Sequence, residues 1–94
     1  MALFAIICLD KPGALELRLA TRERHLAYAD GRGVVRAGGA FLDADGKPEG
    51  SLIIIEAEDM AAARAFADGD PYFQAGVFAS VEVRPWRLAL GGLA

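Results

Sequence analysis

Leu3-Phe4-Ala5-Ile6-Ile7-Cys8-Leu9 and Ser51-Leu52-Ile53-Ile54-Ile55-Glu56-Ala57 decide the architecture. Their β-branched and aromatic content marks both as strands. In a strand, successive side chains point to opposite faces of the sheet. Leu3, Ala5, Ile7 and Leu9 therefore share one face, and Phe4, Ile6 and Cys8 the other. Neither face is polar, and Leu52 and Ile54 against Ile53 and Ile55 repeat the pattern. A one-sided antiparallel sheet alternates with polar residues on its open face. These strands do not, so both faces of the sheet call for cover.

Working outward, Asp10-Lys11-Pro12-Gly13 is a turn signal. The stretch from Ala14 to Ala29 is rich in Leu, Ala, Arg and Glu without an internal Gly or Pro, which favours helix. Its apolar stripe is expected along Leu15, Leu19, Arg22, Leu26 and Ala29, with Arg22 as the flaw. Asp30-Gly31-Arg32-Gly33 is expected to end that helix. A second strand is expected from Val34 to Leu42, with a bulge or a close backbone approach at Gly38-Gly39. Asp43 to Pro48 is a hairpin-like connection, and a third strand begins at Ser51. Asp59 is a natural N-cap for a helix over Met60 to Ala67 that ends near Gly69. Asp70-Pro71 starts a further turn, with aspartate as cap and proline in the first position. A last strand is expected from Val77 to Leu88, where Pro85 marks an edge or a bulge. Residues 89–94 read as a frayed tail.

The order strand, helix, strand, strand, helix, strand is the ferredoxin-like βαββαβ pattern, an α+β fold with both helices on one face of an antiparallel sheet. The helices leave the second apolar face open, and such a face marks an interface. A second copy of the chain, packed sheet to sheet, is the simplest cover, so a homodimer is expected.

Composition narrows the function classes. The 94 residues are 54% hydrophobic and 24% charged, which suits one domain spanning 1–94 and excludes disorder as the main state. The net charge of −3 comes from interspersed charges without a basic stripe, so no nucleic acid partner is expected. The apolar run before Asp10 is too short for a membrane span and has no basic segment ahead of it, so no membrane association is expected either. The single cysteine, Cys8, excludes an internal disulfide and suits a reducing, cytoplasmic setting. One histidine among scattered carboxylates has no metal-ligand spacing, so neither metal nor cofactor is expected.

His25, the lone histidine, is the candidate for proton transfer near neutral pH. An isolated histidine is also commonly just solvated or packed. Asp70 can hydrogen-bond one imidazole nitrogen and leave the other free as a base. Helix capping alone also explains an aspartate before a proline, and a carboxylate has oxygens enough for both roles. Ser51, following Gly50, either places a hydroxyl in a pocket or merely begins a strand. No G-x-S-x-G elbow surrounds it, which argues against a serine nucleophile.

Four stretches, in order, resemble the YciI-like (YCII-related) family: CLDKPGALELRLATRERHLAY from Cys8 to Tyr28, DGKPEGSL from Asp45 to Leu52, DGDPYFQAG from Asp68 to Gly76, and SVEVRPWR from Ser80 to Arg87. The resemblance implies a dimeric α+β barrel and a site built on a helix-one histidine and the aspartate of an Asp-Pro motif, here His25 and Asp70. Ala40 departs from it, since relatives commonly carry proline after the glycine. Two functions follow as expectations. One is a small cofactor-independent enzyme of lyase, dehalogenase or isomerase type, acting on a small cyclic or aromatic substrate, with Arg22, Ser51 and Tyr72 binding its polar groups. The other is a non-catalytic metabolite-binding or accessory dimer.

Overall fold

The computed structural model describes residues 1–92. Four strands, β1 (Ala2–Asp10), β2 (Val35–Leu42), β3 (Pro48–Ala57) and β4 (Phe78–Trp86), form one sheet in the order β2-β3-β1-β4. Helix α1 (Leu15–Arg32) joins β1 to β2, and α2 (Met60–Gly69) with the single turn α3 (Pro71–Gln74) joins β3 to β4. Every pairing is antiparallel, as the ferredoxin-like order requires. The two isoleucine-rich runs lie side by side at the centre, with Ile6 opposite Ile53 and Phe4 opposite Ile55.

The core lies between the sheet and the helices. Phe4, Ile6, Cys8, Ile53, Ile55 and Val83 meet Ala63, Phe66 and Ala67 of α2, and Tyr72 of α3. Ile55, Ala63 and Val77 are wholly shielded from solvent. Helix α2 starts where the sequence indicates: the Asp59 carboxylate accepts from Ala62 N–H at 2.8 Å. Asp70 caps α3 in the same way, accepting from Tyr72 N–H at 2.9 Å.

Several boundaries differ from the sequence reading. Helix α1 runs past Gly31 to Arg32 and ends on Gly33, whose φ of 69° is the left-handed cap conformation open to glycine. Strand β3 begins at Pro48, which moves Ser51 from a strand start to a strand interior. The bulges of β2 fall at Val35/Ala37 and Phe41/Leu42 and flank Gly38-Gly39. Pro85 lies on β4, an edge strand of the sheet. Beyond Trp86 the chain has no helix or strand through Gly92; the last two positions of the expected tail, 93 and 94, lie outside the described residues.

The largest correction concerns the inward face of α1. Leu19 and Leu26, expected in the core, are 54% and 45% exposed, and the buried residues of the helix are Arg18 and Thr21. His25 and Tyr28 continue this face as half-buried residues. Polar side chains can face inward when each finds a partner. Thr21 Oγ1 donates to Leu17 O at 2.8 Å, and Tyr28 Oη donates to Phe66 O at 2.8 Å. Arg18 and His25 find theirs in the site described next.

Candidate functional site

A cavity of about 270 Å³ lies between α1 and the β2 side of the sheet. Helix α1 contributes Arg18, Arg22, His25, Leu26 and Ala29 to its wall. Ser51 and Ile53 of β3 and Tyr72 of α3 also line it, and β2 supplies Val35, Gly38, Gly39 and Ala40. Four of the five residues singled out in the sequence thus share one wall, and Asp70 stands directly behind His25.

His25 Nδ1 lies 2.9 Å from both Asp70 Oδ1 and Asp70 Oδ2. Asp70 is 2% exposed, and its Oδ1 also accepts the α3 cap bond from Tyr72 N–H. Both roles weighed for this aspartate, cap and imidazole partner, therefore coexist. A carboxylate at Nδ1 favours the tautomer with the proton on that nitrogen, which leaves Nε2 as the acceptor. Nε2 has no hydrogen-bond partner among the described residues, and no buried side-chain nitrogen or oxygen among them lacks one. Nε2 is therefore not sealed away, and its ring lines the cavity.

The imidazole plane is fixed from a second direction. It stacks on the Tyr72 ring with centroids 4.0 Å apart and planes 15° from parallel. The Arg18 guanidinium packs on the same tyrosine, with its carbon 4.5 Å from the ring centroid. Arg18 forms a fork to Asp10, from Nε to Oδ2 at 2.6 Å and from Nη2 to Oδ1 at 2.9 Å, and donates from Nη2 to Ser51 Oγ at 2.8 Å. Burial opposes the Arg18 charge, and the Asp10 carboxylate more than offsets it, so the guanidinium is held charged. Asp10 enters the sequence reading only through the turn signal, and Arg18 only as one of the arginines of the helical stretch. Eight positions apart across a turn, they fall outside the spacing at which helical ion pairs are recognised.

Tyr72 is a buried neutral phenol: burial raises its proton affinity, and Arg18 and Arg22 offset part of that rise. Cys8 lies beneath the site, opposite Ser51 in the sheet. Burial, reinforced by the Asp70 charge, pushes its thiol up to about 12, which suits packing and not nucleophilic attack. Arg22 is exposed and makes no ion pair among the described residues, so it presents a free cation at the cavity rim. No group of three or more His, Cys, Asp or Glu among the described residues is placed to hold a metal ion. No helix among them is long and apolar enough to cross a membrane.

The family model of the YCII-related domain matches residues 2–87. An uncharacterised protein of Haemophilus influenzae is 37% identical over 93 residues, covering 89% of this chain and 95% of that protein. Protein YciI of Escherichia coli is 36% identical over 94 residues, covering 90% and 96%. Among solved structures, 5-chloro-2-hydroxyhydroquinone dehydrochlorinase from Burkholderia phenoliruptrix, in complex with 2,5-dihydroxybenzoquinone, superposes with a TM-score of 0.86. It is 34% identical, over 93% of this chain and 95% of that one. An antibiotic biosynthesis monooxygenase, 16% identical with a TM-score of 0.59, shares the fold alone.

Proposed function

This chain belongs to the YCII-related domain family, and from that membership and the cavity's geometry we propose that it is a small enzyme of lyase or isomerase type that moves a proton on a small cyclic or aromatic substrate. The observation that carries the reading is the contact of His25 Nδ1 with both oxygens of buried Asp70, beside a cavity that the imidazole lines. His25 Nε2 accepts a proton from the substrate, and Asp70 stabilises the imidazolium that forms. The electron pair left on the substrate becomes a new double bond. In an elimination the leaving group departs with its own bonding pair. In an isomerisation the proton returns at a different atom. Arg22 supplies positive charge where a hydroxyl or enol oxygen of the substrate becomes anionic. Ser51 Oγ accepts from Arg18 and keeps its own proton to donate to a substrate oxygen. Tyr72 is 2% exposed and serves mainly through its ring, as the surface on which His25 rests. The chemistry uses only this chain's own side chains.

The dehydrochlorinase named above supports elimination as the first reaction to try. The test is chloride release from 5-chloro-2-hydroxyhydroquinone by the wild-type chain, His25→Ala and Asp70→Asn. The expected loss is on the order of 10²–10⁴-fold for His25→Ala, the usual weight of a general base. Full activity in either variant contradicts the assignment.

The chain is further read as a homodimer. Leu9, Phe41, Leu52 and Trp86 lie on the sheet face away from the helices and are 37–51% exposed. The site of action is read as the cytoplasm, where a lone thiol such as Cys8 stays reduced; cell fractionation tests that.

A further inference from the structure

Gly38 sits inside β2, opposite Ile53, and lines the cavity. Glycine in a strand interior costs stability relative to alanine, so a strand keeps one only for a reason. The usual reasons are a positive φ or a crowded Cβ position, and Gly38 has neither. It is absent from the residues of positive φ. A Cβ built on it would meet Leu52 O at 3.8 Å and the Ile53 side chain at 3.9 Å, which is ordinary van der Waals contact. The contrast with Gly50 is direct, since a Cβ there would lie 2.5 Å from Cys8 O. Nor does a bulge need the residue, because the register shifts of β2 lie on either side of it. The fold leaves room for a side chain at Gly38, and the sequence leaves that room empty.

The room lies on the cavity side. Register places Gly38 and Ala40 on the face of Ile53 and Ser51, whereas Gly39 pairs with Leu52 and faces the opposite way. With no side chain at 38, the cavity wall there is bare strand backbone. Facing it across about 270 Å³ are the His25 ring, Arg22 and the apolar edge of Leu26 and Ala29. A strand wall with no side chain at this position, opposite a helix, leaves a slot in which a planar ring can lie against the backbone. Arg22 and Ser51 at the slot's polar positions suit oxygen substituents on that ring.

We propose that Gly38 is a specificity-determining residue, whose missing side chain lets a planar, oxygen-substituted ring lie against the β2 backbone within reach of His25. This rests on the reading of the cavity as the site, and deepens it by naming the shape of the substrate.

The experiment measures 2,5-dihydroxybenzoquinone binding by calorimetry, and by the shift of the single histidine's imidazole resonances, together with thermal melting. It compares the wild-type chain with Gly38→Ala and with Gly31→Ala. Gly31 lies in α1, is not among the residues that line this cavity, and has nothing within 4 Å of a built Cβ. The expected result is that both variants melt at or above the wild-type temperature, and that Gly38→Ala alone binds at least tenfold more weakly. If Gly38→Ala is stable and binds as the wild type does, the proposal falls while the cavity stands as the site. If Gly38→Ala melts well below wild type, the fold needs this glycine and the proposal falls. If the wild-type chain does not bind the quinone, the reading of the cavity falls, and this inference with it.

Discussion

Asp70 joins two functions in one carboxylate: it starts α3 through Tyr72 N–H and holds His25 through Nδ1. Tyr72, the residue it caps, is the one on which His25 stacks, so the turn that supplies the carboxylate also supplies the ring's support. Arg18 holds the other side of the arrangement. Its ion pair with Asp10 is almost fully buried, with side-chain exposures of 4% and 5%. Arg18→Met therefore leaves Asp10 as an uncompensated buried charge and is expected to destabilise the fold by about 3–5 kcal/mol in denaturant titration. Adding Asp10→Leu to that variant is expected to recover much of the loss; equal loss in single and double variants contradicts the pair as the cause. Cys8 makes a pH prediction. Its folded value of about 12 stands above an ordinary value of 9.0, so above roughly pH 9 the unfolded chain releases a proton that the folded chain keeps. Stability is untouched by this group below that pH, and then falls by about 1.4 kcal/mol per pH unit toward the folded value. Urea unfolding across the alkaline range checks it: the fall is shallower in Cys8→Ala, and an unchanged slope contradicts the assignment. Tyr28 and Tyr72, also raised first by burial, act in the same direction at somewhat higher pH.

At the scale of elements, the turn chemistry was legible and the inward face of α1 was not. Asp59 and Asp70 cap where a carboxylate before a helix should, because that preference is local. Asp59→Ala is expected to cost about 1 kcal/mol in thermal or urea unfolding, and no measurable cost would show the cap to be idle. Counting leucines misled for α1, because Leu19 and Leu26 flank the polar stripe that turns inward. The legible signal was instead the spacing of Arg18, Thr21, His25 and Tyr28, which lie at steps of three and four along one helical face. Its burial depends on partners at Asp10, Ser51, Asp70 and Phe66, up to 45 residues distant, which no local pattern contains. In the sheet, Gly50 is the position where alanine has no place. A Cβ there meets Cys8 O at 2.5 Å and Phe41 Cδ2 at 3.0 Å. Gly50→Ala is expected to cost about 3 kcal/mol of stability, and a variant as stable as wild type contradicts the packing described.

At the scale of the whole molecule, the two-faced strands have one face covered by the helices and one that is only partly open, with Ala5 and Ile54 buried on it and a rim of larger side chains exposed. Phe4, Ile6, Ile53 and Ile55 bury against the helices. Leu9, Phe41 and Leu52 remain on the other side with exposures of 51%, 37% and 38%. We predict a dimer through that face in sedimentation, and a monomer once Leu52→Lys puts a charge at its centre; a wild-type monomer at micromolar concentration overturns the prediction. The same sheet divides the proposed chemistry from the proposed interface, with β2 lining the cavity on one side and carrying Phe41 on the other. The proposed chemistry depends on His25. Because the chain has one histidine, ¹⁵N NMR of its imidazole reads the deciding property without interference. The neutral ring is expected to carry its proton on Nδ1, with Nε2 bare, and Asp70→Asn to abolish that preference. A wild-type ring protonated on Nε2 instead would leave the proposed base without its lone pair and contradict the mechanism.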